Sequence, residues 1–213
     1  MFITPLSKNL FLLKNSFLCP FLTGNLYSWE LLDLLPKIFH NFSFEKKTLI
    51  KKQIFFENQE KISIGSKCVF EPGVYIEGPC IIGNFCVIRH GASIRGGCVL
   101  CDHCLVGHAT EIVRCLILDG AKLSHFNYVG DSVIGENVNL GSGSCCANLR
   151  LDEKPISFQL NGKKISTNKK KLGSFIGHDS KIGCNSVLNP GTIVFPGSKV
   201  SPCSSLKGFV RSL

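Results

Sequence analysis

The sequence predicts an all-β protein, a parallel solenoid of hexapeptide coils behind a short, mostly helical segment. Three observations carry this. Large apolar residues recur every six positions over most of the chain, and small residues recur at the fifth place of the same sixes. Composition agrees: 21 glycines in 213 residues and only 18% charged residues suit short strands joined by tight turns.

The period is plain over 64–117. After ISIGSKCV the chain divides into FEPGVY, IEGPCI, IGNFCV, IRHGAS, IRGGCV, LCDHCL, VGHATE and IVRCLI. The first places are Ile64, Phe70, Ile76, Ile82, Ile88, Ile94, Leu100, Val106 and Ile112, all large and apolar. A second block gives Ile176, Ile182, Leu188, Val194, Val200 and Leu206. Leu123, Val129, Ile134 and Leu140 join the two, with a slip in spacing. Each six makes one strand and a turn, and three sixes make a triangular coil. First places point inward, fifth places sit near the corners, and stacked coils satisfy each other's backbone groups.

The fifth places account for five of the twelve cysteines: Cys68, Cys80, Cys86, Cys98 and Cys104. In the second block the same place holds Ser180, Ser186, Thr192, Ser198 and Ser204, so Cys serves as a small buried residue. Eighteen residues make a coil. Cys68, Cys86 and Cys104 therefore stack in one ladder and Cys80 and Cys98 in another, as free thiols. The repeat already accounts for this spacing without a zinc site.

The N-terminal MFITPLSKNLFLLKNSFLCPF has apolar runs too short to span a bilayer, broken by Lys8 and Lys14, and no A-x-A-like cleavage site. The expectation is a cytoplasmic protein with reduced thiols and no membrane partner. A net charge of +9 suits nucleic acid, a membrane surface or an anionic small molecule. No nucleic-acid-binding pattern and no glycine-rich nucleotide motif occurs, so no nucleic-acid partner is expected.

Residues 1–60 lack the repeat. Within them NLYSWELLDLLPKIF (25–39) reads as one amphipathic helix, with Trp29, Leu32 and Leu35 on a face and Pro36 limiting it. Residues 61–213 form the solenoid, interrupted at 149–172 by LRLDEKPISFQLNGKKISTNKKKL. That insertion reads as a hairpin about Asn161-Gly162. Lys163, Lys164, Lys169, Lys170 and Lys171 crowd it, either as a solvated loop or as an anion-binding element.

The stretch that points to chemistry is HFNYVGDSVIGENVNLGSGSCCANLR (125–150). It sets one imidazole among neutral hydrogen-bonding side chains. A neutral imidazole near pH 7 can take a proton from an amine or hydroxyl. Asn side chains bind sugar hydroxyls and carbonyls without competing for that proton. His125 is expected near a solenoid corner.

These residues are very similar to the acetyltransferase half of the bifunctional glucosamine-1-phosphate acetyltransferase/N-acetylglucosamine-1-phosphate uridylyltransferases. They are more similar still to the archaeal-type sugar-1-phosphate nucleotidylyltransferase/acetyltransferases, in which a DEK segment, a Lys-rich hairpin and a K-L-G-x-x-I-G return also follow. The likeness covers roughly 60–206 and is strongest over 125–150 and 171–184. It implies a left-handed β-helix, a homotrimer with sites between subunits, acetyl-CoA as cosubstrate and no metal. It implies an amino-sugar 1-phosphate acceptor, glucosamine-1-phosphate first, acetylated toward UDP-N-acetylglucosamine. By the same likeness His125 is the general base. Arg89, Tyr128, Asn139, Asn148 and Lys154 bind the acceptor, Lys154 reaching a neighbour's site. Ser142, Cys184 and Pro202 contact acetyl-CoA. The nucleotidylyltransferase half is missing, so a separate nucleotidylyltransferase is an expected partner. Val113 stands where the bacterial family has a phosphate-contacting Lys, with Arg114 beside it. Cys184 replaces a common Ser, and Leu213 falls short of that family's cofactor-binding tail.

Two other readings stand beside this one. His103 and His108, five apart, resemble a metal-ligand pair of the γ-class carbonic anhydrases, but Lys67 occupies the place of the third ligand. A trimeric scaffold without catalysis is the non-enzymatic reading. An acyl acceptor of another kind, including a nucleotide-linked amino sugar, is the nearest enzymatic one. His40 and His178 read as structural or solvated.

Overall fold

The computed structural model describes residues 6–14, 18–21, 25–48 and 53–212. Short parallel strands stack into three faces of a solenoid, as the period of six requires. The first face has eight strands, from Ile62–Ile64 through Cys80–Ile82, Cys98–Leu100, Leu116–Ile117, Val133–Ile134, Phe175–Ile176 and Ile193–Val194 to Phe209–Val210. The second has seven, among them Val87–Ile88, Leu105–His108, Lys122–His125, Asn139–Leu140, Lys181–Ile182 and Lys199–Val200. The third has eight, among them Tyr75–Glu77, Ser93–Ile94, Glu111–Val113, Tyr128–Gly130 and Cys145–Cys146. This is the hexapeptide β-helix architecture.

Nearly every predicted first place is fully buried, from Ile64 to Leu206; Phe70, in the outermost coils, is half-buried. The slip in spacing has a structural address. Ile112 to Ile117 and Val129 to Ile134 are each one residue short of six, and both steps turn the corner from the third face to the first. Pairing stays in register because each coil there shortens with its neighbour: Leu100 lies opposite Ile117, and Ile117 opposite Ile134. The insertion leaves at the same corner, between Cys145–Cys146 and Phe175–Ile176.

The cysteine ladders form as expected. Cys68, Cys86 and Cys104 donate to carbonyls of the next coil, at 3.0, 3.1 and 3.2 Å. Cys80 lies opposite Cys98, and Cys115 extends that ladder, its thiol donating to Val129 O at 3.1 Å. Burial pushes the thiols of Cys80, Cys104, Cys115 and Cys146 above the ordinary range.

Two expectations need correction. Residues 25–39 are not one helix. A 3₁₀ helix, Ser28–Leu34, hands over to an α-helix, Leu35–Asn41, which Pro36 opens rather than limits. Proline lacks an N–H, and in the first turn none is needed. The solenoid also begins before residue 61: Phe55–Glu57 pairs with Tyr75–Glu77, Phe56 opposite Ile76. Phe56 thus stands at a first place in the outermost coil, hidden from the periodic reading because the sixes before 62 are irregular. The Lys-rich hairpin folds as expected, Ser157–Leu160 against Lys163–Ser166, with Asn161 and Gly162 at positive φ as a tight hairpin turn needs. Its apolar face packs on the N-terminal segment, Phe158 stacking on Trp29 with centroids 4.3 Å apart.

That packing covers the outside of the first face. Leu10, Leu18, Trp29, Leu31, Leu35 and Ile38 join Ile156 and Phe158 over Ile81, Val99, Leu116, Val133, Phe175 and Ile193. The cover is also held by polar bonds. Buried Glu136 accepts from Leu13 N at 2.6 Å and Leu12 N at 3.1 Å, and Lys169 pairs with Asp33. The reading of residues 1–21 falls partly outside the described residues, at 1–5 and 15–17. No helix among the described residues is long and apolar enough to cross a membrane.

Candidate functional site

The corner from the second face to the third carries a single column of residues, one per coil. Backbone bonds fix it: Phe126 N donates to His108 O, Gly143 N to His125 O, Asn185 N to Ser142 O and Cys203 N to Cys184 O, at 2.8–3.0 Å. The column therefore runs His108, His125, Ser142, Cys184 and, in the last coil, Pro202. Four predicted site residues, successive ones 17, 42 and 18 positions apart in sequence, become neighbours at the spacing of stacked strands, about 4.8 Å per coil. His125 closes the strand Lys122–His125 and is exposed, and Phe126 after it turns the corner at φ 52°. Asn139 stands on the second face, opposite Lys122 and Lys181, its Oδ1 accepting from Ser124 Oγ at 3.4 Å. Lys181 in turn lies opposite Lys199. Like charges directly opposite repel, so this stripe of lysines favours a polyanion beside the column.

A second group gathers where the third face turns to the first. Tyr128 and Asn148 approach each other over Gly130, where an added Cβ would lie 2.5 Å from Asn148 Nδ2 and 2.7 Å from Tyr128 Oη. Asn148 Nδ2 donates to Asp131 Oδ2 at 2.6 Å. Asp131 also receives Arg114 in a two-point ion pair, Nε at 2.6 Å and Nη2 at 2.8 Å, which holds the guanidinium's pKa up. Burial raises the Tyr128 hydroxyl's pKa, and Glu111, its cross-strand neighbour, adds to that. Glu111 binds Arg95 at 3.0 Å. Arg95, Glu111, Tyr128, Asn148, Asp131 and Arg114 thus form one network across the third face, and each guanidinium keeps N–H donors beyond those its carboxylate takes.

This network borders a cavity of about 590 Å³. One wall is Leu32, Leu35, Pro36 and Phe39 of the N-terminal segment; the other includes Arg95, Arg114, Asp131, Lys169 and Lys171. Gly97, at φ 83°, leaves room for Arg114, since a Cβ there would lie 3.0 Å from Arg114 Cγ.

Two predicted residues are not brought to either group. Arg89 is two coils from Ser124 on the second face and is paired with Glu71 at 2.8 Å. The His90 backbone N–H lowers the Glu71 pKa first, with Arg89 adding to it. Arg95, one six further on, borders the cavity instead. The sequence offered IR in both IRHGAS and IRGGCV, and only the corner geometry separates them. Lys154 is exposed on the insertion, its backbone N–H bonded to Asp152 at 3.3 Å. Arg95, Asp131 and the N-terminal wall are the residues the sequence reading missed. The run Val113-Arg114 did signal a cation near this corner.

His103 and His108 do not converge. His103 stacks on Phe85, with centroids 4.8 Å apart, before the strand Leu105–His108, while His108 closes that strand at the other corner and stacks on His90. No group of three His, Cys, Asp or Glu among the described residues is arranged to hold a metal.

A hexapeptide solenoid with an exposed imidazole on a corner column defines the class of hexapeptide-repeat transferases. Residues 61–96 match the family described as bacterial transferase hexapeptide (six repeats). The chain is 35% identical over 159 residues to the uncharacterized acetyltransferase YaiX of Escherichia coli O6:K15:H31, covering 74% of this chain and 69% of that protein. It is 42% identical over 94 residues to the bifunctional sugar-1-phosphate nucleotidylyltransferase/acetyltransferase of Sulfurisphaera tokodaii, covering 44% of this chain and 23% of that protein. It is 36% identical over 163 residues to the bifunctional protein GlmU of Methanococcus aeolicus, covering 76% and 39%. The chain belongs to the hexapeptide-repeat acyltransferases. It spans well under half the length of the bifunctional relatives it matches.

Proposed function

We propose that the chain transfers an acetyl group from acetyl-CoA to the amine of an amino sugar bearing an anomeric phosphate, glucosamine-1-phosphate being the smallest such acceptor. The observation that carries the reading is the corner column: an exposed imidazole followed, coil by coil, by Ser142, Cys184 and Pro202. The lysine stripe beside it suits the phosphates of coenzyme A, and names such as that of the Sulfurisphaera relative support the acceptor class.

In this reading His125 takes a proton from the acceptor's neutral amine as the nitrogen attacks the thioester carbonyl. A C–N bond forms, the C–S bond breaks, and coenzyme A leaves as the thiol after receiving that proton. Arg95 and Arg114 hold the acceptor phosphate, in place of Arg89, with Tyr128 and Asn148 beside the sugar. Holding both reactants in line supplies much of the acceleration. His125 and the Arg95–Arg114 network lie at opposite edges of the third face. A neighbouring copy in a homotrimer therefore completes each site, with exposed Lys154 on the insertion as the residue reaching across. A cytoplasmic location follows from the need for acetyl-CoA.

The test is thiol release from acetyl-CoA with glucosamine-1-phosphate, galactosamine-1-phosphate, UDP-glucosamine and free glucosamine, against a blank without acceptor. Acceptor-dependent release with a phosphorylated amino sugar is expected. No release with any of the four from a folded oligomer would remove the reading in favour of a scaffold.

A further inference from the structure

We infer that the acceptor is an amino sugar carried on a nucleoside diphosphate, and that the N-terminal segment selects it. This rests on the reading above, in which Arg95 and Arg114 hold the acceptor's phosphate.

The cavity has two unlike walls. Arg95 and Arg114 come from the solenoid and Lys169 and Lys171 from the segment that follows the hairpin's second strand, so cations face the space from two parts of the chain. Glu111, Asp131 and Asp33 neutralise three of them, but Lys171 pairs with no acidic side chain among the described residues. Each guanidinium also keeps donors to spare. A chain of two phosphates uses cations spread in this way better than a single phosphate does. The opposite wall is apolar. Leu32, Leu35, Pro36 and Phe39 follow one another at three- and four-residue steps, a stripe about 10 Å long along one side of the helical segment. A hexosamine phosphate has only the small C–H side of one ring to set against it, too short for the whole stripe. A volume of about 590 Å³ is within the range of sites that enclose larger ligands.

The shared chemistry is a diphosphate with an apolar or planar group at its far end. A nucleoside meets it, and so does a prenyl chain. The stripe is only about 10 Å long, which suits a flat ring and not a long extended hydrocarbon. The solenoid alone would offer only the cationic wall, so the added specificity belongs to residues that carry no repeat.

The experiment is calorimetry on the full chain with UDP, glucosamine-1-phosphate and farnesyl diphosphate, for the unaltered protein, Phe39→Ser and Phe39→Leu. UDP is expected to bind about tenfold or more tighter than glucosamine-1-phosphate. Phe39→Ser should erase that advantage and leave glucosamine-1-phosphate binding unchanged, while Phe39→Leu keeps most of it, which separates loss of the wall from loss of the fold. Equal affinity for UDP and glucosamine-1-phosphate, indifference to Phe39→Ser, or tighter binding of farnesyl diphosphate would each overturn the inference. Turnover of glucosamine-1-phosphate without UDP binding would remove the inference and leave acetyl transfer standing. Phe39-dependent UDP binding without acetylation of UDP-glucosamine would uphold the nucleoside diphosphate site and remove acetyl transfer.

Discussion

The first face and the third face are built from the same six-residue unit, yet they do opposite work. Strands of the first face are apolar on both sides: Cys80–Ile82, Cys98–Leu100 and Phe175–Ile176 are buried throughout, inward into the solenoid and outward under the N-terminal segment and the hairpin. Strands of the third face are apolar inward, and their outward places hold Ser93, Glu111 and Tyr128 along the middle, with exposed Phe55 and Val187 toward the ends. A parallel sheet needs cover wherever both sides are apolar. The open third face can meet a ligand or a neighbouring copy. The difference teaches that the repeat fixes the scaffold, while the residue on either side of each first place decides whether a face is interior or working surface.

The comparison can be tested from its largest expected effect downward. The interior thiols hold their protons in the folded chain, because burial raises their pKa, whereas an unfolded thiol titrates near 9. Above that pH the unfolded chain binds fewer protons than the folded one, so stability falls as pH rises; below it the contribution is fully present. Each fully buried thiol costs up to about 1.4 kcal/mol per pH unit, and the ladders act together. Melting temperature should stay level from pH 7 to about 8.5 and then drop steeply. Exposed Cys184 and Cys203 should react quickly with a thiol reagent at pH 7, while Cys86 and Cys98 should react only after unfolding. Fast labelling of all of them would break the picture of inward ladders.

On the open side, His125→Ala should lower kcat by about 10²- to 10⁴-fold with oligomeric state and melting temperature unchanged. Near-normal turnover would remove His125 as base. On the covered side the effect is the reverse. Phe175→Ala should cost about 3–5 kcal/mol of stability, read by denaturant unfolding, with turnover per folded molecule preserved. Loss of turnover without loss of stability would mean that the first face is not purely structural. Glu136→Ala should cost less, about 1–3 kcal/mol, by orphaning the Leu12 and Leu13 N–H groups. Proteolysis should then cut first within the N-terminal segment. Unchanged protease resistance would show that apolar burial alone holds the cover.

Of the candidate site, His125, Ser142, Cys184 and Pro202 were named through the family likeness; that they form one column comes from their equivalent places in successive coils, where backbone bonds between coils keep them. Tyr128 and Asn148 were legible from their place in the motif. Arg95 was not, because two adjacent sixes both begin Ile-Arg and the pattern cannot say which Arg turns toward the third-to-first corner. Where the lysine run lies was not legible either: the insertion folds back over the first face, and Lys169 pairs there with Asp33.

The sequence by itself determined the solenoid, its inward residues, its thiol ladders and the hairpin turn. These depend on local repetition, and a period of six admits one way to bury its large residues. Only the tertiary structure decided which face is covered, where the N-terminal segment lies, and that an apolar wall from residues 32–39 stands across from Arg95 and Arg114. Those contacts join segments with no common period. Their register is set by side-chain packing across the solenoid surface, which no spacing along the chain encodes.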